Sequence, residues 1–165
     1  MTIRAATEED VDATLDLFEA VVNEGTWMGA EPGFDRNERR GRFLASLTED
    51  RCTQLVAMTD GGEIVGMLNL EVAPYGVAGL GMCVARVWRR RGVGGALVEG
   101  AVDAARRLGA HKLSLQVWPH NEAALRLYAR HGFVEEGRLR RHYRRRNGEL
   151  WDAVMMGLVL EEENA

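Results

Sequence analysis

Between an apolar run ending at Val84 and a helix-patterned segment that follows, the chain reads Arg89-Arg90-Arg91-Gly92-Val93-Gly94-Gly95-Ala96-Leu97. A strand that reaches a helix through a turn this rich in glycine and cations lays backbone amides open at the helix start. Helix N-termini leave several N–H groups without partners and carry about half a positive charge, so anions settle there. Glycines at 92, 94 and 95 remove side chains that would hold a phosphate away from those amides. The arginines add forked donors matched to phosphate oxygens.

Two common phosphate turns do not fit. A nucleoside-triphosphate loop needs lysine and a hydroxyl residue after its last glycine, but Gly94 is followed by Gly95, Ala96 and Leu97. A dinucleotide fingerprint matches Gly92 and Gly94, then meets Leu97, and no strand ending in an acidic residue follows at the required distance.

The fixed positions Arg89, Gly92 and Gly94 resemble motif A of the GNAT family of N-acetyltransferases, Gln/Arg-x-x-Gly-x-Gly/Ala. A second block, Asn121-Glu122-Ala123-Ala124-Leu125-Arg126-Leu127-Tyr128-Ala129-Arg130-His131-Gly132-Phe133, is similar to the family's motif B. Asn147 to Asp152 and Met156 look like its last hairpin, so the resemblance spans nearly the whole chain. It implies an α/β (α+β) fold: a mixed, mostly antiparallel sheet of about seven strands flanked by about four helices. It also implies a splay between two parallel central strands, here Leu80 to Val84 and Lys112 to Val117.

The implied activity is transfer of acetyl from acetyl-CoA to a primary amine by direct attack in a ternary complex, with no metal. Arg89, Arg90, Arg91, Gly92, Val93, Gly94, Gly95 and Ala96 would hold the pyrophosphate, and Met82, Cys83 and Val84 would pair with pantetheine. Asn121 and Tyr128, two helical turns apart, would hold the thioester end, with Tyr128 hydrogen bonding to the departing thiolate.

The acceptor is read as a small-molecule amine, amino acid or amino-acid-like, or a protein N-terminus. Glu71 is the candidate base, at a strand end with Asn69 on the same facing. Glu24, Trp27 and Glu31 in the early loop, together with Glu71, are the candidate acceptor contacts, because negative charge beside an aromatic suits a cationic amine. A non-catalytic acyl-CoA sensor stays open as an alternative, as does, more remotely, an RNA- or ribosome-associated module.

Bulk properties bound these readings. A chain of 165 residues suits one domain, residues 1–165. A formal net charge of -4 gives no general case for nucleic acid or an anionic membrane. The cluster Arg138, Arg140, Arg141, Arg144, Arg145 and Arg146 is therefore expected to be a solvated hairpin face. Cys52 and Cys83 read as reduced core thiols without metal spacing. The N-terminus lacks the apolar run of a signal peptide, which makes the cytoplasm the expected location. A homodimer is compatible with the resembled fold.

Local patterns supply the remaining elements. Ile3 to Ala5 reads as a strand, and Thr7 as the cap of a helix with the stripe Val11, Leu15, Phe18 and Val22. Gly25 to Phe34 reads as loop and Arg36 to Leu47 as a charged helix. Gln54 to Met58 and Glu63 to Val72 form a hairpin across Asp60-Gly61-Gly62. Gly94 to Leu108 is a helix closed by Gly109. Phe133 to Tyr143 and Leu150 to Leu160 close the sheet.

Overall fold

Leu113, Leu115 and Val117 are buried on one face of a strand while Ser114 and Gln116 are not. Such alternation builds a single seven-stranded sheet, as expected. The computed structural model describes residues 1–160, so the sequence-based domain limit at Ala165 lies outside the described residues. In chain order the elements are β1 (Thr2–Ala5), α1 (Val11–Val22), α2 (Arg36–Ser46), β2 (Cys52–Met58), β3 (Ile64–Val72) and β4 (Val77–Val84). They continue with α3 (Val93–Arg107), β5 (Lys112–Val117), α4 (Glu122–Arg130), β6 (Val134–Arg144) and β7 (Leu150–Val159). The strand order is β1-β2-β3-β4-β5-β7-β6, antiparallel throughout except between β4 and β5.

Helices cover both faces. On one, α3 buries Leu97, Val98, Ala101 and Ala105, each 0% exposed, in a core with Leu68, Leu70, Leu113 and Val154. Truncating a leucine as enclosed as Leu97 to alanine costs about 2–5 kcal/mol. On the other face, α1 lays Leu17, Phe18, Val21 and Val22 against Met67 and Cys83. Phe43 of α2 packs on Val11 and Leu15. Cys83 is buried as expected, whereas Cys52 is only partly buried.

Thr7 does not cap α1 itself. It precedes a 3-10 turn, Glu8–Asp10, and α1 starts at Val11. The Asp10 carboxylate causes this by folding back onto the Thr7 amide at 2.8 Å and the Arg4 guanidinium at 2.6 and 2.8 Å.

The feature that positions a site is the parallel pair. β4 and β5 are registered only from Val77 to Gly79 against Lys112 to Ser114. Beyond that, β4 stays paired with β3 up to Val84 and β5 with β7 up to Val117, so the sheet opens along its middle. Among the described residues, no helix is long and apolar enough to cross a membrane.

Candidate active site

A cavity of about 1040 Å³ occupies this opening. Leu80 to Val84, with Met82, Cys83 and Val84 among them, line one side and Leu115 to Val117 the other. Backbone groups on the facing edges of these two segments have no ladder partner across the gap, and a ligand must satisfy them or water will.

The glycine and arginine turn closes one end. Arg90 adopts φ 60° and Gly92 φ 83°, so the chain passes twice through the left-handed region before α3 begins. No side chain caps the first turn of α3. Arg90, Gly92, Gly94 and Gly95 line the cavity. A Cβ on Gly94 would lie 2.9 Å from Leu127 Cδ2 and 3.2 Å from Met82 Cε, so the turn runs as close to α4 and β4 as backbone can.

Other residues of the expected set are used elsewhere. Val93 is 1% exposed and belongs to the core. The Ala96 amide donates to Gly92 O at 3.1 Å, and the Arg91 guanidinium lies 5.2 Å from the Trp88 ring centre. Arg89 reaches the cavity wall, but its fork donates to Glu24 at 2.8 and 2.6 Å and its Nε to Val84 O at 3.0 Å.

Asn121 and Tyr128 of the motif B segment both line the cavity. Asn121 is the N-cap of α4, its Oδ1 accepting from Ala124 N at 3.2 Å. Tyr128 is 6% exposed and packs on Phe133 at 5.5 Å. Burial pushes its phenol pKa above the ordinary tyrosine range. Among the described residues no hydrogen bond engages that hydroxyl, although it faces the cavity rather than being sealed.

On the opposite side, Trp27, Met28 and Gly29 of the early loop form the wall. Glu24 and Glu31 do not line it. Glu24 accepts from Trp27 Nε1 at 2.8 Å, and the Arg89 guanidinium holds its carboxyl below the usual glutamate range. Glu31 lies 3.6 Å from Arg145 Nε and accepts from the Arg146 amide at 3.2 Å. Both carboxylates expected to face a cationic amine are thus matched to arginines of the chain itself.

Glu71 is exposed on β3, registered with Cys52 and Gly79, and lies outside the cavity lining. Its row is the closed apex of the opening, where Gly79 still pairs with Ser114.

The hairpin arginines are not uniformly solvated. Arg145 is 6% exposed, donates to Gly29 O at 3.0 Å and lies 4.5 Å from the Trp151 ring centre. It is buried because the turn after β6 folds under the early loop, with Arg145 N bonded to Glu149 O at 2.8 Å. Around it runs a chain of rings that sequence reasoning missed: Trp118 meets Tyr143 at 5.0 Å and Trp151 at 5.3 Å, and His120 bridges Trp151 and Trp27. Trp118, Gln116 and Tyr143 line the cavity, with the Tyr143 hydroxyl donating to Gln116 Oε1. One local signal existed, since Gln116 is the polar member of an otherwise apolar strand end at the gap.

Residues 15–133 match the model of the acetyltransferase (GNAT) family. The chain belongs to this family. The GNAT chain is similar to the L-amino acid N-acetyltransferase of Escherichia coli strain K12, with 36% identity over 111 residues, 64% of this chain and 67% of that one. Its fold is that of a ribosomal-protein-alanine N-acetyltransferase from Brucella melitensis, at 27% identity and TM-score 0.87 over 97% of this chain and 100% of that one. A phosphinothricin acetyltransferase from Sinorhizobium meliloti, solved in complex with acetyl-CoA, superposes with TM-score 0.86 at 19% identity, covering 98% and 89% of the two chains. This GNAT protein is an acyl-CoA-dependent acetyltransferase, and among its described residues no group of three or more His, Cys, Asp or Glu could hold a metal ion.

Proposed function

We propose that the enzyme moves acetyl from acetyl-CoA to the primary amine of a small amino-acid-like molecule or a protein N-terminus, by direct attack within a ternary complex. The observation that carries this is the opening between β4 and β5, with the uncapped first turn of α3 at one end and the Trp27 loop at the other. The cradle suits acetyl-CoA. The space that a Gly94 side chain would take from Leu127 and Met82 is left clear, and amides at Gly92, Gly94 and Gly95 border the cavity with Arg90 beside them. These groups would hold pyrophosphate, Met82 to Val84 would pair with pantetheine, and Asn121 and Tyr128 would hold the thioester end.

Acetyl-CoA supplies an activated acyl group on a thiol leaving group. The protein's part is to place the amine and to stabilise the sulfur as it departs. An ordinary phenol of pKa about 10 is a weaker acid than a thiol near 8.5, so proton donation from it is uphill by roughly 2 kcal/mol. Burial of Tyr128 makes full transfer harder still. Its role is a hydrogen bond to the developing thiolate. Such a charge-assisted bond is worth about 1.5–3 kcal/mol, roughly 10- to 150-fold in rate.

The cavity lining contains no aspartate or glutamate. Glu71 lies at the closed apex, and Glu24 is tied to Arg89. His131, which also lines the cavity, has its Nδ1 on Leu127 O and its ring against Gly95, at the pyrophosphate end, so the amine gives its proton to solvent at the mouth and attacks from its neutral fraction.

The test is thiol release from acetyl-CoA against a panel of amino acids, amino-acid amides, polyamines and N-terminal peptides, with wild type and Tyr128→Phe. Release with at least one amine, reduced 10- to 150-fold in the variant as for loss of one such bond, is the expected result. No release with any amine overturns the reading in favour of a non-catalytic acyl-CoA sensor, and an unchanged variant removes the role given to Tyr128.

A further inference from the structure

Helix α2 carries four arginines, and three of them meet carboxylates. Arg36 reaches Asp16 at 2.6 Å and Glu19 at 2.8 Å, Arg40 pairs with Asp12, and Arg42 with Glu38. Their side chains are 37%, 42% and 77% accessible. Arg39 differs. It is half-buried, its guanidinium lies 3.2 Å from the centre of the Phe18 ring, and among the described residues that guanidinium takes part in no hydrogen bond or ion pair. An aromatic face satisfies part of a guanidinium's charge and leaves its edge donors free. A half-enclosed cation with free donors is a standing cost to the fold unless a ligand uses it.

Its surroundings say what ligand would. Phe18 precedes Val21 by one turn of α1, and Val21 lines the cavity. Burial holds the thiol of Cys83, which lines the cavity from β4, above the ordinary range; the guanidiniums of Arg39 and Arg89 lower it and the carboxylate of Glu24 raises it, so Arg39 lies within electrostatic reach of the cavity wall. On the β4 face that carries Cys83, alternation brings Gly81 and Gly79, two positions without side chains, so the sheet is bare beside Cys83. Asn69 is registered with Gly81, and its Oδ1 would lie 3.1 Å from a Cβ placed there. Among the described residues the Asn69 side chain has no hydrogen-bond partner either. A bare strip of sheet, a free guanidinium and a free carboxamide therefore adjoin a cavity whose lining has no acidic group, the carboxylate of the strip, Glu71, being one row further along at Gly79 by the closed apex. That is a site for an anion on the acceptor, and a poor one for a polycation.

We propose that Arg39, together with Asn69, anchors a carboxylate of the acceptor, so that the enzyme selects free α-amino acids and their close analogues over polyamines and protein N-termini. In a polyamine there is no carboxylate, and at a protein N-terminus the corresponding group is a neutral amide. The inference rests on the acetyl-transfer reading and narrows it. Arg39 recognises substrate; it takes no part in bond making.

Thiol release is measured with saturating acetyl-CoA and an amino acid that the wild type accepts, its carboxamide, and spermidine. The wild type is expected to prefer the acid to the carboxamide by about 10- to 150-fold in kcat/KM, the value of one charge-assisted interaction. In Arg39→Gln, kcat/KM for the acid falls by a similar factor while that for the carboxamide holds, so the preference collapses towards one. Arg39→Lys keeps part of it. Asn69→Asp, which sets a negative charge beside Gly81 on that strip, lowers the acid and spares the carboxamide. KM for acetyl-CoA stays constant in all three variants, which shows that the fold is intact. Equal wild-type use of acid, carboxamide and spermidine, or an equal loss for acid and carboxamide in Arg39→Gln, overturns the proposal and leaves acetyl transfer standing. Absence of thiol release with every amine overturns the transfer reading, and this inference with it.

Discussion

Arg89 grips Glu24 at two points, 2.8 and 2.6 Å, across a sequence separation of 65 residues. Because Glu24 also holds Trp27 Nε1 at 2.8 Å, the pair ties the turn before α3 to the loop that walls the cavity opposite. Arg89 thereby acts as a strut between the two halves of the site. Replacing either partner leaves the other partly enclosed and unpaired, which costs about 1–3 kcal/mol. Urea unfolding of Glu24→Gln, Arg89→Gln and the double variant is expected to show single losses of that size and a double loss smaller than their sum by about 1 kcal/mol. Strict additivity would mean that the pair carries no coupling.

The two glycines of the turn should fail differently when changed to alanine. At Gly92 there is open space but φ is 83°, so the cost falls on the backbone, about 1–2 kcal/mol of stability. At Gly94 the new methyl meets the flexible ends of Leu127 and Met82, both of which line the cavity. Gly94→Ala is expected to change the unfolding midpoint little and to raise KM for acetyl-CoA severalfold. Equal effects of the two changes on both quantities would contradict this division.

Asp10 sets an acid limit on stability. Hydrogen bonding from Arg4, aided by the Thr7 amide and hydroxyl, lowers its pKa to about 2 against the cost of burial. A depressed carboxyl stabilises the fold above its unfolded pKa, and that contribution disappears as pH falls through the folded value. Asp10→Asn should therefore lose about 2 kcal/mol at pH 6. The gap to wild type should close as pH is lowered from about 4 towards about 2. A gap that stays constant over that window would assign the loss to packing.

The rate should carry no protein base limb. With a cavity free of carboxylates, kcat/KM is expected to rise about tenfold per pH unit up to the pKa of the acceptor amine, near 10.4 for a lysine-like amine. Since the protonated amine does not attack, the slope is positive up to that pKa and levels off above it. A plateau beginning near neutral pH, independent of the amine used, would reveal a titrating side chain.

What could be read directly from the chain was whatever is written contiguously. The turn from Arg89 to Ala96 and the segment from Asn121 to Phe133 each carry their geometry in local spacing, so the ends of α3 and α4 and the cavity they border were legible. So was the sheet, because alternation and glycine turns are short-range signals. The roles of Glu24, Glu31 and Arg145 were not. Each is decided by a partner that only the assembled sheet brings near, and a carboxylate in a loop looks the same in sequence whether it faces an amine or an arginine. The β6–β7 pair adds register shifts between Glu135 and Gly137 and between Leu139 and Tyr143, which break the alternation that would have flagged Tyr143 as inward-facing.

Arg145 offers a further check. It is 6% exposed and holds Gly29 and Glu31, and breaking so enclosed a pair costs about 3 kcal/mol. Arg145→Gln is expected to lower stability by about that amount, raise KM for the amine and leave KM for acetyl-CoA unchanged. A change confined to acetyl-CoA would place the residue on the wrong side of the site.

The link between the early loop and the last hairpin also orders events during synthesis. Arg145 and Arg146 reach Gly29 and Glu31 across 116 and 115 residues. A nascent chain can finish the turn before α3 while the Trp27 wall of the cavity still hangs free, because the residues that pin that wall are made 116 and 115 residues after it. A fragment ending before β6 would lack the means to hold the wall in place, and the cavity is complete only once β6 and β7 have docked.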